Sequence, residues 1–203
     1  MKIKYEAFLF DLDGVLINSE EYRLETYRAM FLDLFQLKIE FNRDEFIGRS
    51  EKENIKSLLQ QYNLEIKTDY LVEKRKQLLN DVARNLAKLN PSIVNSIILA
   101  KMLNIKIAIC TNSTKDYLDI ILERLPEEAT IDLKLTAEDI EKPKPDPEIY
   151  NKAAKILDIR PQKCLVFEDS ISGIKAAQKA NMDYIRVPEV SSQNFYQTEQ
   201  KAR

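Results

Sequence analysis

The sequence contains no histidine, only three glycines and only two cysteines among its 203 residues. Without histidine, the chain cannot carry a Ser-His-Asp triad, a Cys-His pair or a histidine-ligated metal site. The glycines are too few for the glycine-rich dinucleotide fingerprint or for the P-loop. Any enzymatic chemistry must therefore use carboxylates, hydroxyls and lysines.

Charge and hydropathy exclude further classes of protein. The 31 basic and 33 acidic residues give a net charge of −2, so no basic surface for nucleic acid is expected. There is no apolar run of membrane-spanning length, mean hydropathy is −0.38, and the first residues do not have the pattern of a signal peptide. Cys110 and Cys164 lie in apolar runs as free thiols. We expect a cytoplasmic protein with no nucleic-acid or membrane partner.

Apolar runs and helical patterns alternate in the second half of the chain. This alternation predicts right-handed βαβ units and a parallel sheet. The stretch from residue 18 to residue 90 instead has three successive helical patterns and no convincing strand, which predicts a helical insertion after the first strand. The predicted strands are residues 5–10, 105–110, 131–135, 164–167 and 184–187.

Acidic side chains follow the first and fourth of these strands. Asp11 and Asp13, with Gly14, end the first strand, and Glu168 and Asp169 end the fourth. Because the carboxyl ends of parallel strands meet at one edge of a sheet, we expect these acids to lie close together. Like charges about 4 Å apart repel by roughly 4 kcal/mol at an effective dielectric of 20, so the cluster needs a cation. Oxygen ligands without histidine favour Mg²⁺.

Two further segments add a hydroxyl and a lysine. Thr111-Asn112-Ser113 ends the second strand before a helix, where a hydroxyl and backbone N–H groups suit an anion. Residues 141–147 (EKPKPDP) carry lysines on a stiff, proline-rich loop, and Asp146 is expected to cap the helix that follows. Each segment alone is typical of an ordinary turn or helix cap. Together, the acids, Mg²⁺, the lysine, the hydroxyl and the backbone donors indicate a phosphoryl-transfer site.

Four motifs resemble those of the haloacid dehalogenase (HAD) superfamily in order and spacing. They are DLDGVL at 11–16, TNS at 111–113, KPKPDP at 142–147 and FEDS at 167–170. The resemblance is to the β-phosphoglucomutase and phosphoglycolate phosphatase-like branch. It implies an α/β fold, in which a Rossmann-like parallel sheet core of residues 1–17 and 91–203 carries an inserted α-helical cap domain at residues 18–90.

The resemblance implies catalytic roles for the matching residues. Asp11 matches the nucleophile, which becomes an aspartyl phosphate. Asp13 matches the general acid that protonates the leaving oxygen and later activates water. Lys142 matches the lysine that balances charge between nucleophile and phosphate, and Lys144 is the less favoured candidate for that role.

The resemblance also implies binding roles. Thr111 and the N–H of Asn112 are expected to hold the phosphoryl group, together with Lys142. Gly48 and Arg49 match the loop of the cap that contacts the substrate, although a surface turn before a helix cap explains them equally well. The expected Mg²⁺ ligands are the carboxylates of Asp11 and Asp169, the backbone carbonyl of Asp13 and, through water, Glu168.

The function that these residues predict is Mg²⁺-dependent hydrolysis of a small, sugar-phosphate-like phosphomonoester. Asp13 favours a phosphatase or mutase, because haloalkanoate dehalogenases need no acid there. A mutase of this branch usually has a cap histidine soon after the first motif. Here Arg23 occupies that neighbourhood and the chain has no histidine, so hydrolysis is favoured over mutase activity. A catalytically inert binding subunit is a further alternative. A receiver domain is disfavoured because its acceptor Asp ends a middle strand, whereas Thr111 stands there in this chain.

Overall fold

The computed structural model describes residues 4–46 and 50–188. Contacts divide the chain into two compact units, which we call the α/β unit (Met1–Asn18 and Lys88–Arg203) and the helical unit (Ser19–Ala87). The helices in chain order are α1 (Glu20–Phe35), α2 (Arg43–Phe46), α3 (Glu51–Gln61), α4 (Thr68–Leu86), α5 (Pro91–Met102), α6 (Lys115–Leu122), α7 (Glu148–Leu157) and α8 (Ile171–Lys179).

The α/β unit contains a five-stranded sheet in the order β3-β2-β1-β4-β5, and all its strand pairs are parallel. The predicted Rossmann-like parallel sheet is therefore confirmed. β1 lies at its centre, so the carboxyl ends of β1, β2 and β4 are neighbours. The strands are β1 (Ala7–Phe10), β2 (Lys106–Cys110), β3 (Leu133–Leu135), β4 (Cys164–Glu168) and β5 (Asp183–Arg186).

Alternating side chains of the central strands pack on opposite faces of the sheet. Leu9 and Val166 belong to a buried cluster that includes residues of α7 and α8. On the other face, the rings of Phe10 and Phe167 stack with their centroids 4.4 Å apart. Because both faces are covered, these strands are apolar throughout and only their ends carry polar groups.

Helix ends follow the local sequence signals, with one correction. Asn90 caps α5 through its side chain, which accepts from the N–H of Ser92, and Asn181 takes the left-handed conformation just after α8 with φ 55°. The predicted N-cap at Asp146 is wrong by one residue, because α7 begins at Glu148 and Pro147 is the residue before it. The Asp146 carboxylate still accepts a bond from the N–H of Glu148 at 3.0 Å.

The helical unit is built on an apolar cluster from α1 to α4. Its most buried members include Phe31, Ile55, Leu58 and Leu71. α3 begins with a capping box, in which Ser50 and Glu53 exchange hydrogen bonds between side chain and backbone. Within residues 4–46 and 50–188, no helix has the length and apolar character needed to cross a membrane.

Candidate active site

Two acids stand side by side where the central strands end. β1 and β4 pair with Phe10 opposite Phe167, and the N–H of Asp11 donates to the carbonyl of Phe167 at 3.0 Å. Asp11 and Glu168 are therefore adjacent across the two strands, and both are buried. The register of two apolar strands thus forces together two groups that would repel each other in isolation.

Lys144 supplies the positive charge between them. Its ammonium lies 2.6 Å from Asp11 Oδ1 and 2.6 Å from Glu168 Oε1, and it donates to the carbonyl of Cys110 at 2.8 Å. The Lys144 side chain is only 3% exposed. One buried lysine thus ties together the ends of β1, β2 and β4.

The placement predicted for Lys142 is wrong, because this lysine is exposed. Its N–H and that of Glu141 donate to the carboxylate of Glu148, which fixes this part of the loop at the start of α7. Two residues later, the N–H of Lys144 donates to Asn112 Oδ1 at the end of β2. These anchors direct the Lys144 side chain, and not that of Lys142, toward Asp11.

Asp169 completes a set of acids that could hold a metal ion. One carboxylate oxygen from each of Asp11, Glu168 and Asp169 lies within 4.8 Å of the other two. Gly14 has φ +81°, and a Cβ there would lie 2.0 Å from Asp169 Oδ2. The absence of a side chain at Gly14 therefore leaves the space that the Asp169 carboxylate occupies. An all-oxygen donor set with excess negative charge fits a hard divalent cation such as Mg²⁺.

Glu168 is held more firmly than the other acids. Its Oε1 accepts from Lys144 and from the hydroxyl of Tyr150 at 2.9 Å, and its Oε2 accepts from the N–H and the hydroxyl of Ser170 at 3.2 and 3.0 Å. A Cβ on Gly173 would lie 1.7 Å from Oε1. These contacts hold both oxygens of Glu168 in place, and the contact with Lys144 makes Glu168 a fixed counter-charge of that lysine.

Asp13 points toward the β2–α6 segment. Its Oδ2 accepts from the hydroxyl of Ser113 at 2.6 Å and its Oδ1 from the hydroxyl of Tyr117 at 3.2 Å. Sequence reasoning missed both Tyr117 and Tyr150 as site residues, since each fits the apolar face of a helix. Their hydroxyls are the only local sign that distinguishes them from core phenylalanines.

The predicted phosphate-binding pair lies at the same edge of the sheet. Thr111 is buried directly after β2, and its Oγ1 accepts from the N–H of Ser113 at 3.0 Å. Asn112 is exposed, and its side chain holds the Lys144 backbone. The phosphate role of both residues stays a prediction. Gly48 and Arg49 lie outside the described residues, so their predicted substrate role also stays a prediction.

Burial and crowding of charge shift the pKa values of this site. Burial raises the pKa of Asp11 well above its usual value, against the attraction of Lys144, and the charges of Glu168 and Asp13 raise it further. Burial lowers the pKa of Lys144, but the neighbouring carboxylates outweigh it and the pKa lies well above its usual value. Burial, followed by the charge of Glu168, raises the pKa of Asp169 to about 6. The site therefore has too few positive charges for its acids.

Cysteine does not take part in this chemistry. Cys110 and Cys164 are buried and form no disulfide. Burial raises the pKa of the Cys110 thiol to about 12, so this thiol stays protonated although it lies beside the acidic cluster. The cysteines therefore supply no thiolate at this edge of the sheet.

Comparison with known proteins identifies the family. The sequence profile of the haloacid dehalogenase-like hydrolases matches residues 8–187. A phosphorylated carbohydrates phosphatase from Thermotoga maritima is 33% identical over 183 residues, covering 89% of this chain and 83% of that protein. Validoxylamine A 7′-phosphate phosphatase from Streptomyces hygroscopicus is 28% identical over 187 residues, covering 88% and 83%.

A solved structure supports the same assignment at the level of the fold. CbbY from Rhodobacter sphaeroides, crystallised with phosphate, superposes with a TM-score of 0.77 at 24% identity, covering 92% of this chain and 87% of that one. The resemblance carried by the four sequence motifs is thus confirmed. This chain belongs to the haloacid dehalogenase-like hydrolase family and is an enzyme, a phosphatase of that family.

Proposed function

We propose that this enzyme hydrolyses a small, sugar-phosphate-like phosphomonoester in two steps, with Mg²⁺ and with Asp11 as the nucleophile. The observation that carries the proposal is the Lys144 ammonium between Asp11 and Glu168, 2.6 Å from each, beside the acidic cluster. A lysine and a divalent cation at clustered acids supply the charge that a phosphoryl group needs.

In the first proposed step, Asp11 attacks phosphorus. The bond from phosphorus to the alcohol oxygen breaks, its electron pair stays on that oxygen, and Asp13 gives the oxygen a proton. In the second step, water attacks the aspartyl phosphate and gives a proton to Asp13. The bond from phosphorus to Asp11 then breaks, which returns the carboxylate and releases inorganic phosphate.

The remaining residues bind and balance charge. Thr111 and the N–H of Asn112 hold the transferring phosphoryl group, and Lys144 offsets its charge beside the nucleophile. When bound, Mg²⁺ supplies electrostatic stabilisation of the phosphoryl oxygens. Its proposed ligands are the carboxylates of Asp11 and Asp169, the backbone carbonyl of Asp13 and, through water, Glu168.

The substrate class rests on the relatives. The Thermotoga protein is named for phosphorylated carbohydrates and the Streptomyces protein for the phosphate of validoxylamine A. We therefore propose a polyhydroxylated alcohol as the leaving group. The reducing cytoplasm is the proposed compartment, which the two free thiols fit.

The test is the release of inorganic phosphate from a panel of sugar phosphates and other small monoesters. We expect release with Mg²⁺ and none with chelator, and Asp11→Asn lowers the rate by at least about a thousandfold because the nucleophile is lost. Asp158→Asn is the matched control. This exposed aspartate lies in the α/β unit with φ 55°, a conformation that asparagine tolerates, and its change leaves the rate within about twofold.

Two outcomes would overturn the proposal. Full activity in chelator would remove the metal from the mechanism, and full activity of Asp11→Asn would remove the nucleophile. Isomerisation of a sugar phosphate without net phosphate release would identify a mutase instead. Inactivity on every ester in both assays would indicate a binding subunit.

A further inference from the structure

We infer that Tyr117 is a positioning residue for Asp13, and that it orients this carboxyl group for proton transfer to the leaving oxygen. This inference rests on the proposed function, in which Asp13 is the proton donor. The structure supplies the contact itself: the hydroxyl of Tyr117 donates to Asp13 Oδ1 at 3.2 Å, while the hydroxyl of Ser113 donates to Oδ2 at 2.6 Å.

The two bonds fix the plane of the carboxyl group. A carboxylate that is held at one oxygen can still rotate about its Cβ–Cγ bond, whose torsion is broad. A carboxylate whose two oxygens both accept hydrogen bonds from firmly held donors cannot rotate freely about this bond. Tyr117 meets this condition because its side chain is buried on α6, where Leu118 and Ile121 pack into the core beside it.

One donor, Ser113, belongs to the segment that carries the predicted phosphate-binding residues, and the other, Tyr117, lies in the helix that follows it. Ser113 follows Thr111 and Asn112 directly, and its N–H donates to Thr111 Oγ1. Asn112 in turn holds the backbone of Lys144. The β2–α6 segment therefore positions the proton donor, the phosphate-binding hydroxyl and the charge-balancing lysine relative to one another. Tyr117, buried in the first turn of α6, adds the second hydrogen bond to Asp13.

Orientation of the acid matters only where the leaving oxygen needs a proton. The leaving group of glucose 6-phosphate is the alkoxide of glucose, a poorly acidic alcohol, so its oxygen needs a proton as the bond to phosphorus breaks. The leaving group of 4-nitrophenyl phosphate is 4-nitrophenolate, which is stable as an anion and does not need that proton. A defect in proton donation therefore separates the two esters, whereas general damage to the fold, to metal binding or to phosphate binding slows both.

The experiment measures the release of each alcohol in a single turnover with enzyme in excess over substrate, which isolates the first step. We expect Tyr117→Phe to slow the reaction of glucose 6-phosphate by about tenfold and that of 4-nitrophenyl phosphate by less than about twofold. Ser113→Ala, which removes the other hydrogen bond, is expected to separate the esters in the same direction. Thermal unfolding confirms that each variant is folded.

Two further tyrosine-to-phenylalanine variants serve as controls for the loss of a hydroxyl group elsewhere in the protein. Tyr150→Phe removes a buried hydroxyl bonded to Glu168, so it is expected to slow both esters equally. Tyr5→Phe removes an exposed hydroxyl bonded to Asp183, away from the site, and is expected to change neither. The four variants together distinguish positioning of the acid from loss of any tyrosine hydroxyl.

The possible failures are distinct. If Tyr117→Phe slows both esters equally or slows neither, the inference is overturned while the proposed function stands. If the wild-type enzyme releases phosphate from neither these two esters nor the wider panel, the proposed function fails and the inference fails with it.

Discussion

Each unit of the molecule buries a cation, but the two units balance it differently. Among the described side chains of the helical unit, Arg75 meets one carboxylate, that of Glu51, at 2.6 Å. Its guanidinium also donates to the carbonyl of Arg23 at 2.8 Å and lies 3.7 Å from the centre of the Tyr27 ring. This arrangement pairs one positive charge with one negative charge and places an aromatic ring against the guanidinium.

In the α/β unit, Lys144 meets two carboxylates, and two more acids stand close by. Asp11 and Glu168 both contact its ammonium, Asp169 belongs to the same cluster, and Asp13 follows two residues after Asp11. One ammonium thus serves two carboxylates, and Asp169 adds a third carboxylate to the cluster. A buried charge alone is therefore a poor sign of function, whereas a buried excess of one sign marks a place that binds a charged ligand.

The variant with the largest expected effect replaces Lys144, the buried cation of the α/β unit. We expect Lys144→Met to lower phosphate release by two to three orders of magnitude, because about that much is lost when one preorganised donor to the transition state is removed. Lys142→Met is the matched control, since this lysine is exposed on the same loop, and it should change the rate by less than about threefold. Equal losses in the two variants would contradict the placement of Lys144 at the site.

The corresponding change in the helical unit should affect stability instead. Arg75→Met leaves the Glu51 carboxylate without its partner, and we expect it to lower the free energy of unfolding by about 2–3 kcal/mol. Hydrolysis of 4-nitrophenyl phosphate below the melting temperature should stay within about twofold of wild type. Denaturant unfolding and the phosphate assay measure the two effects separately.

Arg84→Met is the control for Arg75→Met. Arg84 lies on the same helix, is exposed and pairs with Asp81 at the surface, so its change should cost less than about 0.5 kcal/mol. If Arg75→Met abolished activity while the protein stayed folded, the helical unit would contain chemistry that the matched ion pair does not reveal.

A third change reduces the room around the acids without removing a charge. In Gly14→Ala, the new Cβ would lie 2.0 Å from Asp169 Oδ2, so the carboxylate must move. We expect the affinity for Mg²⁺, measured by calorimetry, to fall about tenfold, as it does when the support of a metal ligand is disturbed.

The control for Gly14→Ala separates backbone strain from this displacement. Asn181→Ala also places alanine at a positive φ, here 55°, but beyond α8 and away from the acids. It should cost about 1 kcal/mol of stability and leave the affinity for Mg²⁺ unchanged. A weaker affinity in both variants would attribute the effect to general destabilisation.

Local signals predicted the strands and the acids at their ends because both depend on short-range patterns. The fourth strand is predicted at residues 164–167 and found at Cys164–Glu168. Local sequence does not predict whether Lys142 or Lys144 contacts Asp11, since both lysines lie in the same proline-rich loop. It depends on hydrogen bonds from the loop to Glu148 and Asn112, and the second of these spans 32 residues.

Tyr117 was missed for a similar reason. Its spacing on α6 is typical of a core residue, and it is indeed buried there. Its polar partner, Asp13, lies 104 residues earlier in the chain, after the neighbouring strand β1. Periodicity identifies which face of a helix is buried, but it does not identify which buried hydroxyl meets a carboxylate.

The smallest expected effect is a dependence of Mg²⁺ affinity on pH, which follows from the crowding of carboxylates around Asp169. Burial and the charge of Glu168 raise the pKa of Asp169 to about 6, so this carboxyl group takes up a proton as the pH falls through that value. A metal ligand must be deprotonated, and the proton therefore competes with Mg²⁺. With a pKa of about 6, roughly a quarter of Asp169 is ionised near pH 5.5 and nearly all near pH 7.5, so we expect Asp169 alone to lower the affinity for Mg²⁺ about fourfold as the pH falls from 7.5 to 5.5. Protonation of Asp11, whose pKa is also raised, acts in the same direction. Calorimetry at constant ionic strength checks this, and an affinity that is the same at both pH values would show that Asp169 does not bind the metal or is not crowded by Glu168.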